Sequence, residues 1–384
     1  MTHNLPTYFI VAYCFFLYSC DSNEERKLAL PLTKTENSVK YSKRFTIQVN
    51  PGYTLVYIFG NKFNYDTTNV FTIYTDSSIV NKLPKKGIRV KSPCKKIASL
   101  SSIYTAMLCD LNAIENIVAI DNIDYVNDVR VITKFKANKL HELSKGPEIN
   151  VEQTVALHPD VIFSFGMGNP QQDINTKLLQ ANIPLVISLD HLEETPLARA
   201  EWIKFYAAFV NKQSLADSIF NVVEKNYFEL KSLAATTKKH PTVFNELKYG
   251  DVWYMPGGKS YVAQLIKDAG ATYIWQSDSS YGSHPLSFEQ VYAKAKDAEY
   301  WINLSSVNSK KELLSLEPRY AEFKAVTLGN LYNNNKIKNS KGYSTYWETA
   351  MIYPNRILSD LISIFHPELK VQLKNDLYYY QQIE

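Results

Sequence analysis

The sequence predicts an α/β protein: two Rossmann-like lobes with parallel-rich sheets, joined by a long rigid helix and preceded by a small N-terminal β extension. Three observations carry this. Short apolar strands alternate with amphipathic helices, the pattern of a parallel sheet covered on both faces. The alternation stops between Thr195 and Leu233, where a long helical pattern intervenes, and then restarts. Matching residues recur on both sides of that interruption: Val151-Glu152-Gln153 precedes Asp160 as Phe288-Glu289-Gln290 precedes Asp297, and Asp110-Leu111-Asn112-Ala113 is echoed by Asp268-Ala269-Gly270-Ala271. Two matches in the same order imply a repeated unit.

In chain order, residues 1–20 form a targeting segment. Phe9 to Tyr18 is apolar but too short to span a bilayer. It ends in Leu17-Tyr18-Ser19-Cys20, which resembles a bacterial lipobox and makes Cys20 the lipid-bearing first residue of the mature protein. A cleaved soluble export signal is the alternative, and it would change only the tether. Residues 21–43 are polar and aperiodic, a flexible tether. Residues 44–92 hold alternating strands around the Pro51-Gly52 turn and then a linker from Lys82 to Lys91.

The first α/β lobe occupies 93–192, with strands at Lys96–Leu100, Ile117–Asp121, Asp160–Phe165 and Pro184–Leu189. The connecting helices take 193–236. Thr195 can cap a helix begun by Pro196, Asn211-Lys212-Gln213 interrupts it, and Ser214 can cap a longer segment with Leu215, Ile219, Val222, Val223, Tyr227, Leu230 and Leu233 on one face. The second lobe, 237–384, has strands at Thr242–Leu247, Tyr273–Trp275, Tyr300–Leu304 and Leu331-Tyr332, and a helix Asn355–Phe365 after Pro354.

Composition narrows the function. With 384 residues, 45% apolar and 21% charged, the chain can bury two cores. A net charge of +4 without a basic stripe argues against nucleic acid. Once Cys14 leaves with the signal and Cys20 is lipidated, Cys94 and Cys109 remain. A disulfide is open in an exported protein, but burial as two small apolar residues is the preferred reading. The histidines show no zinc-ligand spacing, and no G-x-S-x-G nucleophile motif occurs. Gly257-Gly258-Lys259-Ser260 imitates the end of a phosphate loop, yet Trp253 stands where the pattern needs glycine. The sequence therefore reads as a binder with no cofactor or resident metal, not an enzyme. A turn before a helix whose N–H groups face a ligand oxygen is the alternative for the glycine pair.

Ligands of open α/β sheets sit beyond the carboxyl ends of the strands, so two facing sheets share one cleft. The loops there supply Ser101, Ser102, Tyr104, Tyr125 and Met167 from the first lobe, and Trp253, Tyr254, Tyr346 and Trp347 from the second. Such a cleft is rich in rings, which stack on flat ligands, and poor in arginine, which strongly anionic ligands would want.

Glu193–Phe205, Trp253–Tyr261 and Tyr346-Trp347-Glu348 resemble the class III substrate-binding proteins of ABC importers, Bacteroidetes lipoproteins above all. The resemblance runs from Lys96 to Glu384. It implies a stiff helix between the lobes, a monomer, and capture of an iron–siderophore complex, with cobalamin or haem as alternatives, for an inner-membrane permease. It also implies that Glu152 and Glu289 dock on that permease; carboxylates favouring a helix N-terminus are the plain alternative. The expected place is the cell envelope, on a lipid anchor. Asp21, Glu24 and Glu25 after Cys20 resemble an acidic surface-export signal, so a surface lipoprotein serving an outer-membrane receptor stays open.

Overall fold

The structure, a computed structural model, describes residues 38–384 except 61–66, 86, 145–148, 167–177, 179 and 374–375. The expected signal segment and Cys20 lie outside the described residues. Strands β1 (Phe45–Asn50), β2 (Tyr53–Phe59), β3 (Thr67–Tyr74) and β4 (Ile88–Lys91) form the N-terminal sheet in chain order. The linker expected at 82–91 is only partly a linker, because β4 pairs parallel to β3 there.

β5 (Ile97–Ser99), β6 (Ile117–Ile120), β7 (His141–Glu142), β8 (Val161–Phe165) and β9 (Leu185–Ser188) make a parallel sheet in the order β7-β6-β5-β8-β9. The second lobe contains β10 (Thr242–Asn245), β11 (Trp253–Pro256), β12 (Thr272–Tyr273), β13 (Ser283–Leu286), β14 (Tyr300–Ile302), β15 (Leu331–Asn333) and β16 (Gln381–Gln382). Its sheet runs β12-β10-β14-β15-β16, with β16 antiparallel, while β11 and β13 pair separately. The orders β6-β5-β8-β9 and β12-β10-β14-β15 are the same winding, so the repeat legible in the sequence is a repeat of topology. The matched tetrapeptides share a conformation too: Asn112 and Gly270 are both left-handed, at φ 55° and 78°, as a chain leaving a helix often needs.

The helix Trp202–Val210 explains the N-terminal sheet. All nine of its residues are buried, Lys204 with its ammonium on Glu201 and the Ser38 carbonyl, and a helix buried on every side must be covered on every side. The first lobe covers one side, where the Tyr206 hydroxyl donates to Ser188 Oγ at 2.9 Å and Phe163 meets the rings of Tyr206 and Phe209. The extension covers the other side: Phe45 lies 4.8 Å from Trp202 and 5.6 Å from Phe205, ring to ring, and Phe71 lies 5.6 Å from Phe209. Asn211, left-handed at φ 55°, ends the helix, and a 22-residue helix, Gln213–Ala234, follows, about 33 Å long at 1.5 Å per residue. Ser214 lies inside that helix and Lys212 flanks it, which corrects the expected cap. Val222 is also exposed; Ala216, Phe220, Val223 and Tyr227 form the buried face.

Two buried glutamates hold the start of the described chain. Glu201 accepts the backbone N–H groups of Lys40, Tyr41 and Ser42 at 2.8, 2.7 and 3.0 Å. Glu193 accepts those of Lys43 and Arg44 at 3.1 Å each, together with the Trp202 indole at 3.1 Å. Residues 38–43, assigned to a flexible tether from their polarity, are therefore fixed. Cys94 and Cys109 are free and buried; burial pushes the Cys94 thiol up to about 12 and the Cys109 thiol up as well, so both stay protonated and unreactive.

The lobes meet along one seam. Asn339 Nδ2 donates to the carbonyls of Asp124 and Val126 at 2.8 and 3.2 Å, and the Tyr353 hydroxyl donates to Asp110 at 2.8 Å. Glu348 Oε2 accepts the Asn127 N–H at 2.9 Å, while its other oxygen, also buried, has no partner. Burial pushes the Glu348 carboxyl up to about 7, and Asp128 adds to the shift.

Two outcomes follow from these contacts. Glu201→Ala removes the acceptor of three partly buried N–H groups and the partner of the buried Lys204 ammonium, and should cost about 3 kcal/mol; thermal unfolding and protease cutting at 38–44 measure it. Glu348 is harder to ionise in the folded protein than its ordinary 4.5, so its contribution is intact below that value and is lost as pH rises to about 7. Glu348→Gln should accordingly raise Tm at pH 8 by a few degrees and leave it nearly unchanged near pH 4.5.

Candidate functional site

The strands β10, β14 and β15 lie side by side, and their carboxyl ends converge on a cavity of about 460 Å³. Glu246 follows β10, Asn303 and Ser305 follow β14, and Asn334 follows β15; Lys338 and the rings of Tyr343 and Trp347 complete the wall. Trp347 is 62% exposed and Tyr343 43%. No arginine is among the described residues that line the cavity.

The backbone here is strained. Glu246, Asn303 and Ser305 are left-handed, at φ 66°, 60° and 54°, a conformation that costs a residue with a Cβ roughly 1–2 kcal/mol. The aromatic core beneath holds them. Trp301 Nε1 donates to the Glu246 carbonyl at 2.8 Å and Trp253 Nε1 to the Asn245 carbonyl at 3.3 Å, so two buried indoles pin the end of β10. The Tyr380 hydroxyl donates to Asn303 Oδ1 at 2.7 Å. Burial alone pushes the Glu246 carboxyl up to about 7.

The residues expected at the cleft end up in different places. Trp347 lines the cavity, and Tyr125 meets Tyr343 edge-on at 4.6 Å across the seam. Ser101 and Ser102 stand at the carboxyl end of β5, where Ser101 caps the helix Ser102–Asp110. Tyr104, Trp253 and Tyr346, expected at the cleft, are core residues. Tyr104 is stacked on Tyr206, and its hydroxyl donates to Asp190 at 3.2 Å. Trp253 is 0% exposed among Phe244, Trp301, Tyr320 and Phe323. Tyr346 packs against Tyr379 and Tyr380. Tyr254 is exposed on β11, outside the cavity wall, and Met167 lies outside the described residues. Glu246, Asn303, Ser305 and Asn334 escaped the reading; the signal was polar residues directly after each apolar strand, Asn333-Asn334-Asn335 most visibly.

Gly257 and Gly258 serve close packing. A Cβ on Gly257 would lie 2.0 Å from Ser280 Oγ, and one on Gly258 2.4 Å from the Asp278 carbonyl. The N–H groups of Gly257 and Lys259 go to the Gly282 and Ser280 carbonyls, and that of Gly258 to Asp278, so none is left to face a ligand. His284 bonds Asp278 and Ser280, and no group of three or more His, Cys, Asp or Glu able to hold a metal occurs among the described residues. Glu152 and Glu289 each sit one residue inside a capped helix start and are exposed. Glu289 pairs with Arg319 at 3.2 Å, and helix-start N–H groups, Ser287 and Arg319 hold its carboxyl below the usual range.

The periplasmic binding protein profile matches residues 97–336. An uncharacterized lipoprotein of Methanocaldococcus jannaschii is 29% identical over 233 residues, 60% of this chain and 53% of its own length, so the chain spans about half of that relative. A second uncharacterized lipoprotein of that organism is 28% identical over 363 residues, 91% of this chain and 87% of its own. These relatives are archaeal and lend nothing to the expected closeness to Bacteroidetes lipoproteins. Among solved structures, a protein of an ABC-type Fe3+-hydroxamate transport system from Saccharomonospora viridis has a TM-score of 0.55 at 15% identity, over 71% of this chain and 94% of its own. The periplasmic vitamin B12 binding protein of Vibrio cholerae scores 0.52 at 17%, over 74% and 99%. A periplasmic haem-binding protein from Roseiflexus scores 0.52 at 19%, over 71% and 98%. These likenesses show a common fold. With a profile match over residues 97–336, which takes in the first lobe's sheet, the joining helices and the second lobe's strands up to β15, the chain belongs to the periplasmic binding protein family, whose members bind solutes and are not enzymes.

Proposed function

We propose that this protein captures a metal chelate, an iron–siderophore first, at the carboxyl ends of its strands and passes it to an ABC permease. The observation that carries the reading is the cavity of about 460 Å³ beyond β10, β14 and β15, walled by amides, hydroxyls, Glu246, Lys338 and the exposed rings of Trp347 and Tyr343. Strand carboxyl ends are where open α/β sheets take ligands, and rings stack on flat chelates. Neighbours of the same fold are described as Fe3+-hydroxamate transport, haem-binding and vitamin B12 binding proteins. With no arginine among the described wall residues, cobalamin, with its uncharged carboxamides, is the second reading. Glu152 and Glu289, exposed at equivalent helix starts of the two lobes, are proposed to meet basic residues of the permease. A lipid on Cys20 would hold the protein in the cell envelope; among the described residues no helix is long and apolar enough to cross a membrane.

Calorimetric titration of the soluble protein starting after Cys20 with ferrichrome, haemin and cyanocobalamin tests the ligand. At least one should bind, and Trp347→Ala should weaken it about tenfold, the loss of one stacking contact; failure of all three to bind removes the reading. Replacing Glu152 and Glu289 together by Lys should abolish stimulation of the reconstituted permease's ATPase while leaving the chelate Kd unchanged.

A further inference from the structure

Within the cavity two polar groups have no partner among the described residues: the half-buried Glu246 carboxyl and the buried Asn334 amide nitrogen. The Glu246 carboxyl makes no hydrogen bond or ion pair with any described residue, and it stands on a backbone forced left-handed at φ 66° and pinned by the Trp301 indole. Asn334 is 2% exposed. Its N–H donates to Asn333 Oδ1 at 3.0 Å and its carbonyl accepts from Ser344 Oγ at 2.6 Å, yet its side-chain amide nitrogen, buried in the cavity wall, has no partner. A buried amide donor left empty costs free energy unless something external fills it. Strain gathered at the same strand ends points the same way.

Resting on the binding reading above, we propose that Glu246 and Asn334 form a paired donor edge that grips an oxygen acceptor on the ligand, a carboxamide, hydroxamate or carboxylate. The carboxyl donates while it holds its proton, and the grip is lost when it ionises. Two things make the protonated form available. Burial pushes this carboxyl up to about 7, with no charged neighbour among the causes. The charged group that shares the cavity wall, Lys338, has its ammonium on Asn308 Oδ1 at 2.6 Å. The other titratable groups that feel Glu246 are the Tyr273, Tyr346 and Tyr380 hydroxyls, all pushed upward by burial and therefore neutral. The cavity then presents donors from Glu246, Asn334 and the Ser305 and Ser306 hydroxyls, a set that suits acceptor-bearing ligands. An amine would instead want the carboxylate.

The sign of the pH dependence decides between them. A ligand held by the protonated acid binds fully below about pH 7 and weakens as pH rises through it; an amine would do the opposite. The probes are cyanocobalamin for a carboxamide edge, ferrichrome for a hydroxamate edge and haemin for a carboxylate edge, each titrated at pH 6.0 and 8.5. For whichever binds, the affinity should fall about three- to tenfold over this range, the worth of one hydrogen bond. Glu246→Gln, which keeps an N–H donor at every pH, should bind as the parent does at pH 6.0 and lose the pH dependence. Asn334→Ala should weaken binding several-fold at both pH values, with an unchanged melting temperature showing that the fold is kept. A chelate that binds with equal or greater affinity at pH 8.5, or that ignores both substitutions, overturns the donor edge and leaves the binding reading standing. Failure of all three probes to bind the parent overturns both.

Discussion

A nine-residue helix buried on every side organises the first half of this molecule. Trp202–Val210 buries every side chain, and the first lobe's sheet can shield only one side of it. The N-terminal sheet shields the other, through Phe45 and Phe71. The extension is thus part of the core and not an appendage, and the connecting element is stiff because it is packed on two sides rather than because it is long. The 22-residue helix beyond Asn211 is amphipathic in the ordinary way and is tied to the second lobe by Tyr227 and Lys231, both on Asp268 at 2.8 Å.

Buried carboxylates secure the two ends of the described chain by the same device. Glu193 and Glu201 collect the backbone N–H groups of residues 40–44, and Asp360 collects those of Tyr378, Tyr379 and Tyr380 at 2.7, 2.6 and 3.1 Å. Extended segments have no repeating partners of their own, so a carboxylate with two acceptor oxygens satisfies several donors at once. The C-terminal segment held in this way brings Tyr380 beneath Asn303, which links the end of the chain to the floor of the cavity. Tryptophans act there through their N–H groups as much as their area. Trp253 and Trp301 fill the core and also fix the last residues of β10 from below.

Much of this was legible from residues. The repeat around Glu152 and Glu289 and the two tetrapeptides ending in Ala113 and Ala271 anticipated two sheets of one winding, because helix starts and left-handed helix exits need particular residues. Thr195 caps the helix Pro196–Ala200 that Pro196 begins, and Asn211 ends the helix that follows, both by the same local chemistry. Ser214 did not become a cap and Val222 did not become core, since where the apolar face of a long helix points is settled by what packs on it. The cavity was the least legible part. Trp253, Tyr104 and Tyr346 have the composition of a recognition surface, but ring count cannot say which rings the fold encloses.

The sequence by itself determined the alternation of strands and helices, the repeat, and the family to which the chain belongs, because these rest on local spacing and on patterns that survive as residues in a row. Only the tertiary structure decided which polar groups meet beyond the strands. Glu246, Asn303 and Asn334 come from three segments that are far apart along the chain, and they become neighbours because β10, β14 and β15 are adjacent in the sheet. Their chemistry follows from that placement: burial raises Glu246, and enclosure leaves the Asn334 amide without a partner. Neither effect exists in a residue taken alone.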